Sequence, residues 1–225
     1  MAGLFDFEWY LDQHGYEAVS AEELPEGMER PILENPPKTG WVLRRKGGPL
    51  RWYRPLEEHP GLFRRFAYLP EEPQAILDFA NEFGILGVGL TEPNEDLDWE
   101  ELSHWWLTHI QGLRFAVEAI DVGDAALMAS TFNDHVGPKT AAMTVRIEAV
   151  HGRRSRLHVT PTTLLSAMWV QVAGELTDGI RFKKCKWCPN WFPYGPRTGH
   201  RETKVFCSDR CRKAWNRDTE KEGRR

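Results

Sequence analysis

The sequence predicts an α+β fold in two parts. Residues 1–180 read as a mainly helical N-terminal domain with short β-hairpins, and residues 181–217 as a small cysteine-bearing module. Three observations predict this. Apolar residues recur at helical spacing over 76–83, 102–120 and 165–176. Thr144 to Val150 alternates in the manner of a strand. All four cysteines fall between 185 and 211, beyond the last helical stripe.

The elements follow in order. Residues 1–30 are acidic and mixed, and Phe5, Trp9, Tyr10 and Leu11 are expected to form one short helical face. Residues 31–40 read as a loop because their prolines and glycine break both regular patterns. Trp41–Arg45 and Leu50–Arg54 flank Lys46-Gly47-Gly48-Pro49, which predicts a β-hairpin with a Gly-Gly turn. Its arginines make either a phosphate patch or, more simply, a solvated face balancing an acidic domain. After Pro70, Glu71, Glu72 and Pro73 suit a helix start. Ile76, Phe79, Ala80 and Phe83 form its stripe, and Gly84 and Gly87 close it. An acidic loop is expected at 88–96. A longer helix is expected from about Leu97 to Ile120, burying Leu102, Trp106, Ile110, Leu113, Val117 and Ile120. A short helix follows at 124–132. Strands at 144–150 and 156–160 flank a turn at 151–155. Thr160-Pro161 is expected to cap a helix whose apolar face is Leu165, Met168, Trp169, Val172 and Leu176, ending at Gly179. The linker to the first cysteine is so short that the module should pack close to that helix. Residues 218–225 form a charged tail expected to fray.

Composition bounds the function. Of 225 residues 41% are hydrophobic and ten are tryptophan, enough for an aromatic core. No apolar run approaches the ~18 residues of a membrane span, so no membrane partner is expected. Met1-Ala2-Gly3-Leu4-Phe5-Asp6 lacks a basic start and a long apolar stretch. The expectation is therefore a cytoplasmic protein with reduced thiols. The net charge of −4 averages two opposite parts. Residues 1–180 hold 15 Lys/Arg against 28 Asp/Glu, a net −13, whereas residues 181–225 hold 14 against 5, a net +9. The two parts then have different partners, or each is the other's partner.

Cys185-Lys186-Trp187-Cys188 and Cys207-Ser208-Asp209-Arg210-Cys211 are two close pairs with eighteen residues between them. That spacing lets two turn-borne pairs of thiolates converge on one tetrahedral zinc ion. Ser208 is placed to cap a helix whose first turn holds Cys211, where the helix dipole favours a thiolate. A turn-borne pair followed by a pair at a helix start predicts a treble-clef-like zinc finger with Cys185, Cys188, Cys207 and Cys211 as ligands. Four sulfurs leave no open position, so the ion is expected to be structural. Two disulfides or four free thiols are the alternative, and His200 is the one nearby substitute ligand.

Phe206-Cys207-Ser208-Asp209-Arg210-Cys211-Arg212-Lys213-Ala214 resembles the C-terminal finger of the bacterial CGNR zinc-finger proteins. Arg212-Lys213-Ala214 stands where that family has Gly-Asn-Arg. The resemblance is specific over about 30 residues, with a looser likeness at Ala80–Gly87. It implies an α-rich N-terminal domain, called ABATE, and a role in transcription regulation.

Catalytic patterns are sparse. Glu101-x-x-His104 sets a carboxylate and an imidazole one helical turn apart, but no second such pair exists for a di-iron site. There is no phosphate-binding glycine loop, nucleophile elbow or His-Glu-x-x-His. An HNH nuclease would use His200 and Asn216, but their surroundings do not match. The chain is expected not to be an enzyme, with Glu101, His104, His109 and His158 the only candidates for a third reading. Within the finger, Lys186, Arg197, Arg201, Lys204, Arg210, Arg212, Lys213 and Arg217 interleave with aromatics and are the candidate contacts to DNA or RNA. Phe192, Phe206 and Trp215 are expected in the finger's own small core. A finger that serves only as a structural staple in a protein-interaction adaptor is the alternative. A small ligand or protein partner is expected at the N-terminal domain.

Overall fold

The computed structural model describes residues 7–20, 40–88, 100–136, 143–150, 154–195 and 198–222. Phe5, Arg197, the turn at 151–153 and most of the expected loops at 31–40 and 88–96 lie outside the described residues.

The chain opens on strands. β1 (Trp9–Asp12) pairs antiparallel with β4 (Leu50–Tyr53), and β2 (Tyr16–Ser20) pairs antiparallel with β3 (Trp41–Arg45). Trp9, Tyr10 and Leu11 are therefore in a strand and not on a helical face. All four β1 residues are buried, so both faces are covered and the strand shows no alternation. The expected β3–β4 hairpin is also corrected: both strands exist, but each pairs with the N-terminal segment. Residues 9–20 and 41–53 form one antiparallel ribbon broken by a corner. The buried Asp12 carboxylate holds that corner, accepting from the His14 N–H at 2.8 Å, the Gly48 N–H at 3.0 Å and Arg45 Nε at 3.1 Å. A Cβ on Gly48 would lie 2.5 Å from Asp12 Oδ1, so the glycine is required by contact with another segment.

Helices supply most of the rest: α1 (Pro55–Glu58), α2 (Leu62–Ala67), α3 (Pro73–Phe83), α4 (Ser103–Val122), α5 (Ala125–His135) and α6 (Leu164–Asp178). The α3 stripe is buried as its periodicity predicts, and Gly84 caps it at φ 92°. Trp106, Ile110, Leu113 and Val117 of α4 are buried as well.

Two boundaries differ from expectation. Residues 100–102 form β5 (Glu100–Leu102) on the edge of β3, so α4 starts at Ser103. Glu101 explains this: its carboxylate accepts backbone N–H groups of Leu86 at 2.8 Å, Gly87 at 2.5 Å and Val88 at 3.1 Å. It is a buried loop anchor and does not sit one turn from His104 on a helix. At α6, β7 (Arg154–Pro161) runs through Pro161 against β6 (Met143–Val150), and the cap falls on Thr163. Thr163 and Ser166 form a reciprocal capping box, a stronger start than Thr160-Pro161 offers. Gly179 ends α6 in the left-handed region at φ 63°.

The core joins Trp9, Phe63, Phe66, Phe79, Phe83, Trp106 and Trp169, all at most 1% exposed. Ile180 and Phe182, at the start of the cysteine module, belong to the same cluster. The rings of Phe63 and Phe182 meet edge to face at 5.3 Å.

Candidate metal centre and basic helix

The module is a hairpin, a loop and a helix. β8 (Arg181–Lys184) pairs antiparallel with β9 (Trp191–Tyr194), and α7 runs Asp209–Glu222. Cys185 and Cys188 sit in the turn joining β8 to β9, where the Cys185 N–H donates to the Asn190 carbonyl at 2.9 Å. The Lys186 N–H donates to the Val205 carbonyl at 3.0 Å, which ties this turn to the segment before Cys207. Ser208 receives the Cys211 N–H on its hydroxyl at 3.3 Å, the capping that the sequence indicates.

The four sulfurs lie within 4.8 Å of one another. Cys188–Cys207 is 3.6 Å, Cys207–Cys211 3.4 Å and Cys188–Cys211 3.7 Å. A tetrahedron with metal–sulfur bonds of about 2.3 Å sets its sulfurs about 3.8 Å apart. These separations fit one metal ion, and they are far from the ~2.05 Å of a disulfide. The Cys207 N–H donates to Cys185 Sγ at 3.4 Å. Burial pushes the Cys185 thiol up, but backbone donors from Cys188, Cys207 and Trp187 prevail and bring it to about 7. Burial instead raises the Cys188 and Cys207 thiols, so among these three the bias toward thiolate rests on Cys185. His200 is not in the sulfur cluster; its ring nitrogens lie 3.2 Å from Lys204 Nζ.

The predicted cationic residues divide. Arg210, Lys213 and Arg217 are exposed and make no ion pair among the described residues. Their i, i+3, i+7 spacing sets them in a row along α7. Arg212 also lies on α7 but is held by Asp209 at 3.1 Å. Lys186 lies over the Trp215 ring at 4.4 Å, Lys204 is half-buried, and Arg201 is exposed. Phe192 is buried, and Phe206 and Trp215 face each other at 6.2 Å. Helix α7 runs through Asp218 to Glu222, where the sequence suggested a frayed tail.

What sequence reading missed is the socket that receives the module. Trp191 stacks on Tyr68 at 5.8 Å, and the Arg64 guanidinium lies 5.3 Å from its ring centre. Arg64 is 3% exposed. It forms two bonds each to Glu175, at 2.7 and 3.0 Å, and Asp121, at 2.8 and 3.2 Å. A Cβ on Gly61 would lie 2.5 Å from Trp191 Cβ, so the glycine lets the tryptophan approach α2. Residues 62–67 are too short to show a period, and nothing local connects them to position 191.

No helix among the described residues is long and apolar enough to cross a membrane. No family model matches the chain, and no curated protein matches it.

Proposed function

We propose that the protein is a zinc-containing, non-enzymatic nucleic-acid-binding regulator whose C-terminal treble-clef finger grips phosphates through α7. One observation carries the reading: Arg210, Lys213 and Arg217 line a solvent-facing row on a helix whose neighbouring hairpin, not the helix itself, docks on the acidic domain. Cations free of partners attract phosphates and release their counterions. Zinc suits the four-thiolate donor set better than the harder divalent cations. The resemblance of residues 206–214 to the CGNR finger supports a regulatory role, with the N-terminal domain receiving a ligand or partner. Reduced thiols are in keeping with a cytoplasmic setting.

The test is an anisotropy titration of the full chain with DNA and RNA at two salt concentrations. Lys213→Ala should weaken binding to all sequences and reduce the salt slope by about one. Absence of binding to either nucleic acid at low salt would overturn the reading. The adaptor reading also has an observation in its favour, the Trp191 socket, and would then stand alone.

A further inference from the structure

Helix α7 is pinned to the finger along one side. Cys211 belongs to the sulfur cluster, and Trp215, one turn on, faces Phe206 at 6.2 Å and carries Lys186 over its ring at 4.4 Å. Lys213, midway between them, points to the opposite side, about 200° from each. Arg210, Asn216 and Arg217 lie within about 60° of it, and the four side chains line one shallow cleft. All four are exposed. Among the described residues α7 shares no extended interface with any other helix or strand. We propose that this side of α7 enters the major groove of B-form DNA and that Asn216 reads an adenine there. This rests on the nucleic-acid reading and deepens it by naming the form of the nucleic acid and the residue that selects sequence.

Asn216 is the residue out of place in a row of cations. Asparagine is a poor helix former because its amide competes for backbone groups. The Asn216 carbonyl accepts from the Thr219 hydroxyl at 3.0 Å, but its side-chain amide has no partner among the described residues. Nothing local offsets the cost of placing it there. A side-chain amide sets a donor beside an acceptor in one plane, and these match N7 and the N6 amine of adenine with two bonds. Arg210, Lys213 and Arg217 surround it with charge for the phosphates on either side, which positions the helix without choosing a sequence.

The dimensions agree. A helix about 10–12 Å across fits a major groove about 12 Å wide, and Arg210 to Arg217 spans about 10 Å of helix. The corresponding groove of double-stranded RNA is deep and too narrow for side chains to read. Beyond Arg217 the chain turns acidic at Asp218, Glu220 and Glu222. The phosphate contacts therefore end at Arg217, and the positive end of the helix leads into the groove.

The experiment is selection from a random-sequence duplex DNA library by the full chain supplied with zinc. Anisotropy titrations follow with the selected duplex, a scrambled duplex and the selected sequence as duplex RNA. The selected sites should share an adenine, and the selected duplex should bind about tenfold or more tighter than either competitor. Asn216→Ala should lower the selected-to-scrambled ratio about tenfold, whereas Lys213→Ala should weaken both DNAs alike. Placing 7-deazaadenine at the shared position removes N7. It should weaken binding severalfold for the native chain and leave the Asn216→Ala variant unmoved. Metal content and far-UV circular dichroism verify that the variants fold. No shared sequence, equal binding of duplex RNA, or a preference indifferent to Asn216→Ala would overturn the proposal. If DNA binds without preference and Lys213→Ala reduces the salt slope, the phosphate-gripping reading of α7 survives alone. If no nucleic acid binds, both fall.

Discussion

The N-terminal domain and the finger are held by different forces. The domain buries large apolar side chains, with Trp9, Trp106 and Trp169 wholly inside. The finger buries little of its own beyond Phe192 and Cys185, and it sends Ile180 and Phe182 into the domain's core. Its fold rests on four sulfurs and on the Trp191 socket. A module this small lacks the apolar area to offset its chain entropy, so four sulfurs placed for one metal ion and a docking surface stand where a larger domain has a core. The two regions should therefore be energetically coupled, with the coupling concentrated at α2.

Removing the metal is the largest test of that contrast. Cys185→Ser or Cys211→Ser should abolish binding of a metal at the four sulfurs; a four-thiolate zinc site of this kind contributes about 10 kcal/mol or more to folding at neutral pH. Elemental analysis and a melt should show zinc lost and the domain's transition lowered as well, because Phe182 and Trp191 leave their contacts. An unchanged domain transition would mean that the two regions fold independently.

Breaking the socket from the domain side comes next. Arg64→Ala leaves Glu175 buried without its partner and should cost about 3–5 kcal/mol in urea unfolding. The double change Arg64→Met with Glu175→Leu should recover much of that loss, since it removes both charges.

A finer probe is Gly61→Ala. The added Cβ meets Trp191, and overpacking of this kind typically costs about 1–3 kcal/mol. Trp191→Gly combined with it should make the alanine nearly neutral. Full additivity of the two changes would place the clash elsewhere.

The smallest effect isolates the domain from the finger. His109 is buried with Nδ1 unpartnered, and burial, then His135 and His104, lower its pKa to about 4. The folded state binds this proton less readily than the unfolded chain does. The stability His109 contributes is present above about pH 6.5 and lost as pH falls toward about 4. Between about pH 7 and pH 6 the loss should be about 0.7 kcal/mol. His109→Gln should flatten that slope with zinc still bound, and an unaltered slope would show that His109 does not cause it.

Much of the chain was legible locally. The α3 and α4 stripes are periodic enough to read, and both Gly84 and Gly179 mark real helix ends. The metal centre was legible because two cysteine pairs at short spacing state a ligand geometry within a few residues each. The misread stretches share a cause. Trp9–Asp12 becomes a strand only because residues 50–53 lie beside it, and the Gly47-Gly48 segment becomes a corner because Asp12 bonds to it from a different strand. Glu101 starts no helix because a loop fifteen residues away offers it three N–H groups.

By itself, the sequence determined the apolar stripes of α3, α4 and α6, the four clustered cysteines and the opposite charges of the two parts, since each depends on spacing along the chain or on composition. Only the tertiary structure decided which strands pair, that Trp191 fills a socket of Gly61, Arg64 and Tyr68, and that Arg210, Lys213 and Arg217 remain open to solvent. Those outcomes depend on surfaces that meet across dozens of residues, and at the Trp191 socket across more than a hundred, and no local pattern records which apolar or charged face finds which partner.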